Sequence, residues 1–186
     1  MRIRALLLAS SVTLAGCGYN TIQSYDETVN SAKQQIEVQL QRRADLIPNL
    51  VEVVRGQAKQ ELEVFTQVAR ARAGLVSALE THDPKAMADA NEQVTTSMRG
   101  LMIAVEAYPA LKSDQAFLRL QDELTGTENR VAVSRTDYNG AVQTYNTYIR
   151  RFPAVLTAKV TGAKARDYFE VTNKSALEAP KVDLTK

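Results

Sequence analysis

A chain of 186 residues with 45% hydrophobic and 24% charged side chains has the length of one domain and enough apolar material for a core. Its 23 Lys and Arg nearly balance 21 Asp and Glu, which removes the strongly basic face expected of a nucleic-acid binder. One Cys excludes an intrachain disulfide and a Cys-rich zinc site, one His leaves little for a metal centre or a His-based triad, and 8 Gly with 5 Pro supply too few turns for a many-stranded β protein.

The N-terminus reads as an address. Met1-Arg2-Ile3-Arg4 is short and basic, Ala5 to Ala15 is apolar, and small residues lead into Cys17, which is the anatomy of a secretory signal. A membrane-spanning helix needs about 20 apolar residues, and this stretch is shorter. The sole cysteine closes Leu14-Ala15-Gly16-Cys17, a string that resembles a bacterial lipobox. The resemblance implies cleavage before Cys17 and a diacylglyceryl group on its sulfur, whose acyl chains bury CH₂ groups at about 0.8 kcal/mol each. A plain signal peptide with a chance cysteine is the competing reading. Gly18 follows the cysteine, where Asp would favour inner-membrane retention, so the outer membrane is favoured in a double-membraned bacterium. With Arg2 and Arg4 removed, residues 17–186 carry 21 basic and 21 acidic side chains and no formal net charge.

One apolar or small stripe runs from Ile22 through Ile36, Leu40, Ile47, Leu50, Val54, Leu62 and Phe65 to Leu79, at close to the helical period of about 3.6. Arg43 and Arg72 are its polar interruptions. Pro48 falls inside it without breaking the phase, which predicts one long helix kinked near Pro48. Asp83-Pro84 reads as the N-cap and first position of a second helix, carrying Met87, Val94, Met98, Leu101, Met102 and Val105, that ends at Tyr108-Pro109. A third helix starts near Ser113-Asp114. Its stripe, Phe117, Leu120, Leu124, Thr127, Val131, Ser134, Tyr138, Val142, Tyr145, Ile149 and Phe152, is a heptad pattern with one stutter. A short helix after Pro153 stops at Gly162. The expected fold is all-α: an antiparallel three- to four-helix bundle, the kinked first helix counting as one or two. The expected organisation is a signal peptide over 1–16, a lipid-anchored linker over 17–21, the bundle over 22–170 and a mobile tail over 171–186.

Within that frame Gln41-Arg42-Arg43-Ala44-Asp45-Leu46-Ile47-Pro48-Asn49-Leu50-Val51-Glu52 resembles the signature of the LemA family. Val68-Ala69-Arg70-Ala71-Arg72, Glu106-Ala107-Tyr108-Pro109-Ala110-Leu111-Lys112 and the run Phe117, Leu120, Gln121, Glu123, Leu124, Thr127, Glu128, Asn129 continue the likeness. So do Arg135, Tyr138-Asn139, Tyr145-Asn146, Phe152-Pro153 and Tyr168-Phe169-Glu170. The resemblance spans about Tyr19 to Glu170. It implies a helical bundle of the bacterial envelope with no established enzymatic activity. It also implies an N-terminal membrane helix, where this chain has a lipobox instead.

The cluster of Arg42, Arg43, Asp45 and Asn49 has two readings. Either it is a ligand or partner site, or Arg43 and Asn49 reach into the bundle and pair with Glu128, Arg135 and Asn139 of the third helix. Buried polar groups left unpaired cost about 1–3 kcal/mol each, and a paired network fixes helix register. Tyr138-Asn139 and Tyr145-Asn146, seven residues apart, fit a core face with hydroxyl partners better than a binding box. Met87, Met98 and Met102 fit a core better than an adaptable groove. His82 reads as an exposed loop residue. There is no Glu-x-x-His pair, phosphate loop or nucleophile elbow, so neither a metal nor a cofactor is expected. The function expected is non-catalytic: a scaffold held to the membrane by lipid on Cys17, presenting a helical face to an unidentified envelope protein. The alternative is a bundle that binds a small amphiphile, peptide or lipid between its helices. A heptad stripe also suits pairing with a second copy.

Overall fold

The computed structural model describes residues 2–58 and 61–172, with residues 2–17 described by backbone alone. Among these, six helices and no strand occur: α1 Arg2–Gln57, α2 Leu62–Thr81, α3 Pro84–Val105, α4 Pro109–Lys112, α5 Gln115–Tyr148 and α6 Ala154–Thr161. The all-α bundle expected from the periodicity is the fold observed. No helix of the described residues is long and apolar enough to cross a membrane. The Cys17 side chain, and tail residues 173–186, lie outside the described residues. The chain divides into two compact units, Met1–Ile36 with Val133–Tyr168, and Glu37–Ala132 with Phe169–Lys186.

In the unit built on Glu37–Ala132, the first helix is not the single kinked rod that the stripe suggested. Pro48 stays inside α1, and the break comes ten residues later, where α1 gives way to α2. There the chain turns back. Arg72 Nε donates to Ala44 O at 2.8 Å, and His82 Nδ1 lies 2.9 Å from Glu37 Oε1. In a straight helix Arg72 and Ala44 would be about 42 Å apart, at 1.5 Å per residue. The reversal hides from periodicity because four residues separate the helices, close to one turn of 3.6. Apolar residues continue at helical spacing across the break, but α2 buries Phe65, Val68, Ala71, Leu75 and Ala78 and leaves the stripe's Leu62 and Ala69 exposed, so the buried face is about one residue off the stripe.

The other boundaries follow local chemistry. His82 takes a left-handed conformation as the C-cap of α2, and its N–H reaches Leu79 O. Asp83 caps α3 by accepting from Lys85 N, with Pro84 at the first helical position. Asp114 accepts from Ala116 N at 2.8 Å and Phe117 N at 3.0 Å, which starts α5 where the sequence placed it. Leu40, Ile47, Leu50, Leu75, Met87, Val94, Leu101 and Leu111 are fully buried. Phe169 is buried too, and Asp89 accepts from Thr172 N at 2.8 Å and from its hydroxyl. Thr172, assigned to the tail, is thus bonded to α3.

In the unit built on Met1–Ile36 and Val133–Tyr168, Ile22, Val29 and Ile36 of α1 and Tyr138, Val142, Tyr145 and Ile149 are buried. Tyr25 meets Tyr148 edge to face at 5.2 Å between ring centres. Phe152, expected on the α5 stripe, is 81% exposed. Helix α5 ends at Tyr148, so a turn removes Phe152 from the helical phase. Helix α6 closes on Gly162 with φ at 73°, the left-handed region that favours glycine. From there residues 163–168 form neither helix nor strand.

Candidate functional site

The two arginines that interrupt the apolar stripe carry the most specific chemistry. Proline has no N–H, so Pro48 leaves Ala44 O without its helical donor. An unsatisfied carbonyl in the interior costs about 1–3 kcal/mol, and Ala44 is wholly buried. Arg72 of α2 supplies the donor. The mid-helix proline thereby becomes a docking point for the neighbouring helix.

One turn before Ile47 on the same face, Arg43 is only 3% exposed. Its Nη1 donates to Asn91 Oδ1 of α3 at 2.6 Å, and its Nη2 lies 3.7 Å from Glu128 Oε2 of α5. One guanidinium thus joins three helices. Its Nε is buried without a hydrogen-bond partner. Burial lowers the Arg43 pKa, and the carboxylates of Glu128 and Glu92 oppose that shift. A guanidinium still keeps its charge at neutral pH. Glu128 is the solvated end of the pair, with its side chain 53% exposed.

Arg43 and Glu128 line a cleft of about 220 Å³ together with Thr95, Met98, Arg99, Met102 and Leu124. Thr127, beside it on α5, is buried and returns its hydroxyl to Leu124 O at 2.7 Å. The cleft has apolar walls and two arginines. Among the described residues, no group of three or more His, Cys, Asp or Glu is placed to hold a metal ion.

Of the five residues expected to form one network, the structure brings together Arg43 and Glu128. Asn49 is exposed, because it lies one residue off the inward position of Leu50, about 100° around the helix. Arg135 and Asn139 belong to the other unit, Arg135 exposed and Asn139 half-buried. Sequence reasoning missed Asn91 and the role of Arg72. Arg72 had a readable signal, a cation on an apolar stripe that also carries a proline. Asn91 had none.

The other unit contains a second polar assembly. Asn146 is buried. Its Nδ2 donates to Arg166 O at 2.9 Å and its Oδ1 accepts from Arg166 N at 2.8 Å. The side-chain amide thus satisfies both backbone polar groups of Arg166. Tyr138 donates its hydroxyl to Asp167 O at 2.7 Å. Arg166 closes the clasp on Asp26 with bonds of 2.7 to 2.9 Å. Burial disfavours the Arg166 charge, and Asp26 outweighs burial, so its pKa is raised. Burial, then Asp26, pushes the Tyr145 phenol upward, against Arg166.

Comparison with known proteins matches the LemA family over residues 32–184. Magnetosome proteins MamQ 1 and MamQ 2 of Paramagnetospirillum magneticum are each 28% identical, over 91% of this chain and 71% of their own length. Magnetosome protein MamQ of Magnetospirillum gryphiswaldense is 27% identical with the same coverage.

Proposed function

The chain belongs to the LemA family, and from that premise we propose that it is a non-catalytic, lipid-anchored protein of the bacterial envelope. It acts as a helical scaffold for another envelope protein at the membrane surface. The supporting observation is how the signature residues are used: Arg72 caps the carbonyl freed by Pro48, and Arg43 joins α1 to α3 and α5. Charges committed to joining helices hold a surface in one shape, as a docking platform requires. The anchor is lipid on Cys17 after removal of residues 1–16, and the location is the membrane face towards the periplasm or exterior, the outer membrane in a double-membraned cell. The relatives' description as magnetosome proteins is in keeping with attachment to a specialised cell structure. In-cell cross-linking followed by purification should recover the same envelope protein from independent cultures. A chain recovered alone under every growth and stress condition would sink the scaffold reading.

The Arg43 cleft favours a second reading, binding of a small anionic amphiphile. Met98, Met102 and Leu124 would take its apolar part, and Arg99 its charge. Native mass spectrometry of protein purified without detergent distinguishes the two. A retained ligand, lost on Met98→Trp filling of the cleft, supports it. Unliganded mass with no thermal shift from lipid extracts rejects it.

A further inference from the structure

Helix α6 is apolar on two sides. Ala154 and Ala158 are buried, while Leu156 and Val160, one turn apart, are 57% and 89% exposed. Phe152, in the turn that precedes α6, is exposed as well. Lone exposed apolar residues are ordinary, whereas a group at helical spacing marks an interaction surface.

Along the chain, the charges next to this group have one sign. From Tyr138 to Arg166 there is no Asp or Glu, and Arg150, Arg151, Lys159, Lys164 and Arg166 all fall in that stretch. Arg166 is engaged by Asp26, and Arg150 Nε donates to Asn146 O. Arg151, Lys159 and Lys164 are exposed. A third observation fixes where the group lies. A Cβ placed on Gly18 would be 3.3 Å from Thr157 Oγ1, so α6 packs beside the residue that follows Cys17.

We propose that Phe152, Leu156 and Val160, with Arg151, Lys159 and Lys164, form a membrane-contact face that seats in the anionic interface of the bilayer beside the N-terminal tether. Its placement rests on the anchor reading above. Acyl chains on Cys17 hold Gly18 at headgroup depth, and α6 lies alongside at that depth. Exposed apolar side chains flanked by cations are the composition of a segment lying in an interface. Each Lys or Arg near an anionic surface adds attraction that falls off within a Debye length. The two contributions also limit how the domain can swing on its tether.

The chain has no Trp, so a substituted Trp is a clean reporter. Full-length Leu156→Trp and Val160→Trp would be placed in phosphatidylcholine vesicles containing about 30% phosphatidylglycerol and shallow doxyl-labelled lipid. Ile103→Trp, at an exposed apolar position on α3, serves as the control. Emission at positions 156 and 160 should fall at least about twofold, with little change at 103. Adding Lys159→Glu and Lys164→Glu should reverse much of the quenching. Unquenched reporters at 156 and 160 overturn the face. A blue shift without quenching, which means that protein covers it, overturns it also. The intact mass of the same preparation reports separately whether Cys17 carries lipid. Quenching of an unmodified chain therefore keeps the face and loses the anchor, and an acylated chain with unquenched reporters does the reverse.

Discussion

Proline at position 48 takes a donor away from the helix, and Arg72 gives one back from another helix. Each residue is unfavourable alone. A proline inside a helix costs about 3 kcal/mol or more, and an arginine on an apolar face must find a partner. Together they make a contact that depends on both, which a double-mutant cycle detects. Arg72→Met should destabilise the protein by about 1.5–3 kcal/mol, the worth of a hydrogen bond to a charged group with its acceptor left bare. In a Pro48→Ala background the helix regains its own N–H for Ala44 O, so Arg72→Met should cost at least about 1 kcal/mol less. Urea denaturation of the four proteins gives the coupling. Strictly additive losses would mean that Pro48 and Arg72 are independent.

At the scale of elements, the segment after Gly162 shows how chain that is neither helix nor strand is held in place. Its backbone partners are side chains of α5: the Asn146 amide on both polar groups of Arg166, and the Tyr138 hydroxyl on Asp167 O. Asn146→Ala removes two bonds and should free this segment locally at a cost of about 2 kcal/mol. Hydrogen exchange reads it directly. The Arg166 amide should exchange about 30-fold faster, since each factor of ten corresponds to about 1.4 kcal/mol, while amides of α3 keep their protection. Unchanged exchange at Arg166 would show that Asn146 does not hold the segment. The sequence displayed this element only as repeated Tyr-Asn dipeptides and the Tyr168-Phe169-Glu170 motif. A segment held through its backbone needs no apolar period, so periodicity does not reveal it. Helices α3 and α5 were legible because each buries a stripe at the period of the α-helix, whereas the four-residue α4 is too short to carry one. Their starts were legible where Asp83 and Asp114 cap them. The α1–α2 reversal was not, because apolar residues continue at helical spacing across its four-residue break, although the face that α2 buries, Phe65, Val68, Ala71, Leu75 and Ala78, is about one residue off that stripe. The Arg43 contact with Asn91 joins residues 48 positions apart, and nothing local encodes it.

At the scale of the whole molecule, charge decides which force can hold this chain at a membrane. Residues 17–186 carry equal numbers of basic and acidic side chains, so there is no net attraction to an anionic surface. The α6 cations attract locally, but at about 1 M salt the Debye length shrinks to about 3 Å and that attraction is largely screened. Acyl chains respond differently, because burial of their CH₂ groups does not depend on ionic screening. The two contributions can therefore be separated by salt. Membranes from cells expressing the unaltered chain should keep it in the pellet through a 1 M salt wash. The Cys17→Ser chain should be released by that wash and held at low salt only through the α6 face. Retention of Cys17→Ser in salt-washed membranes would place the attachment elsewhere, in an uncleaved N-terminal segment or a partner. Release of the unaltered chain would leave electrostatics as its main hold, which a neutral body with three exposed cations near its N-terminus is poorly built to provide.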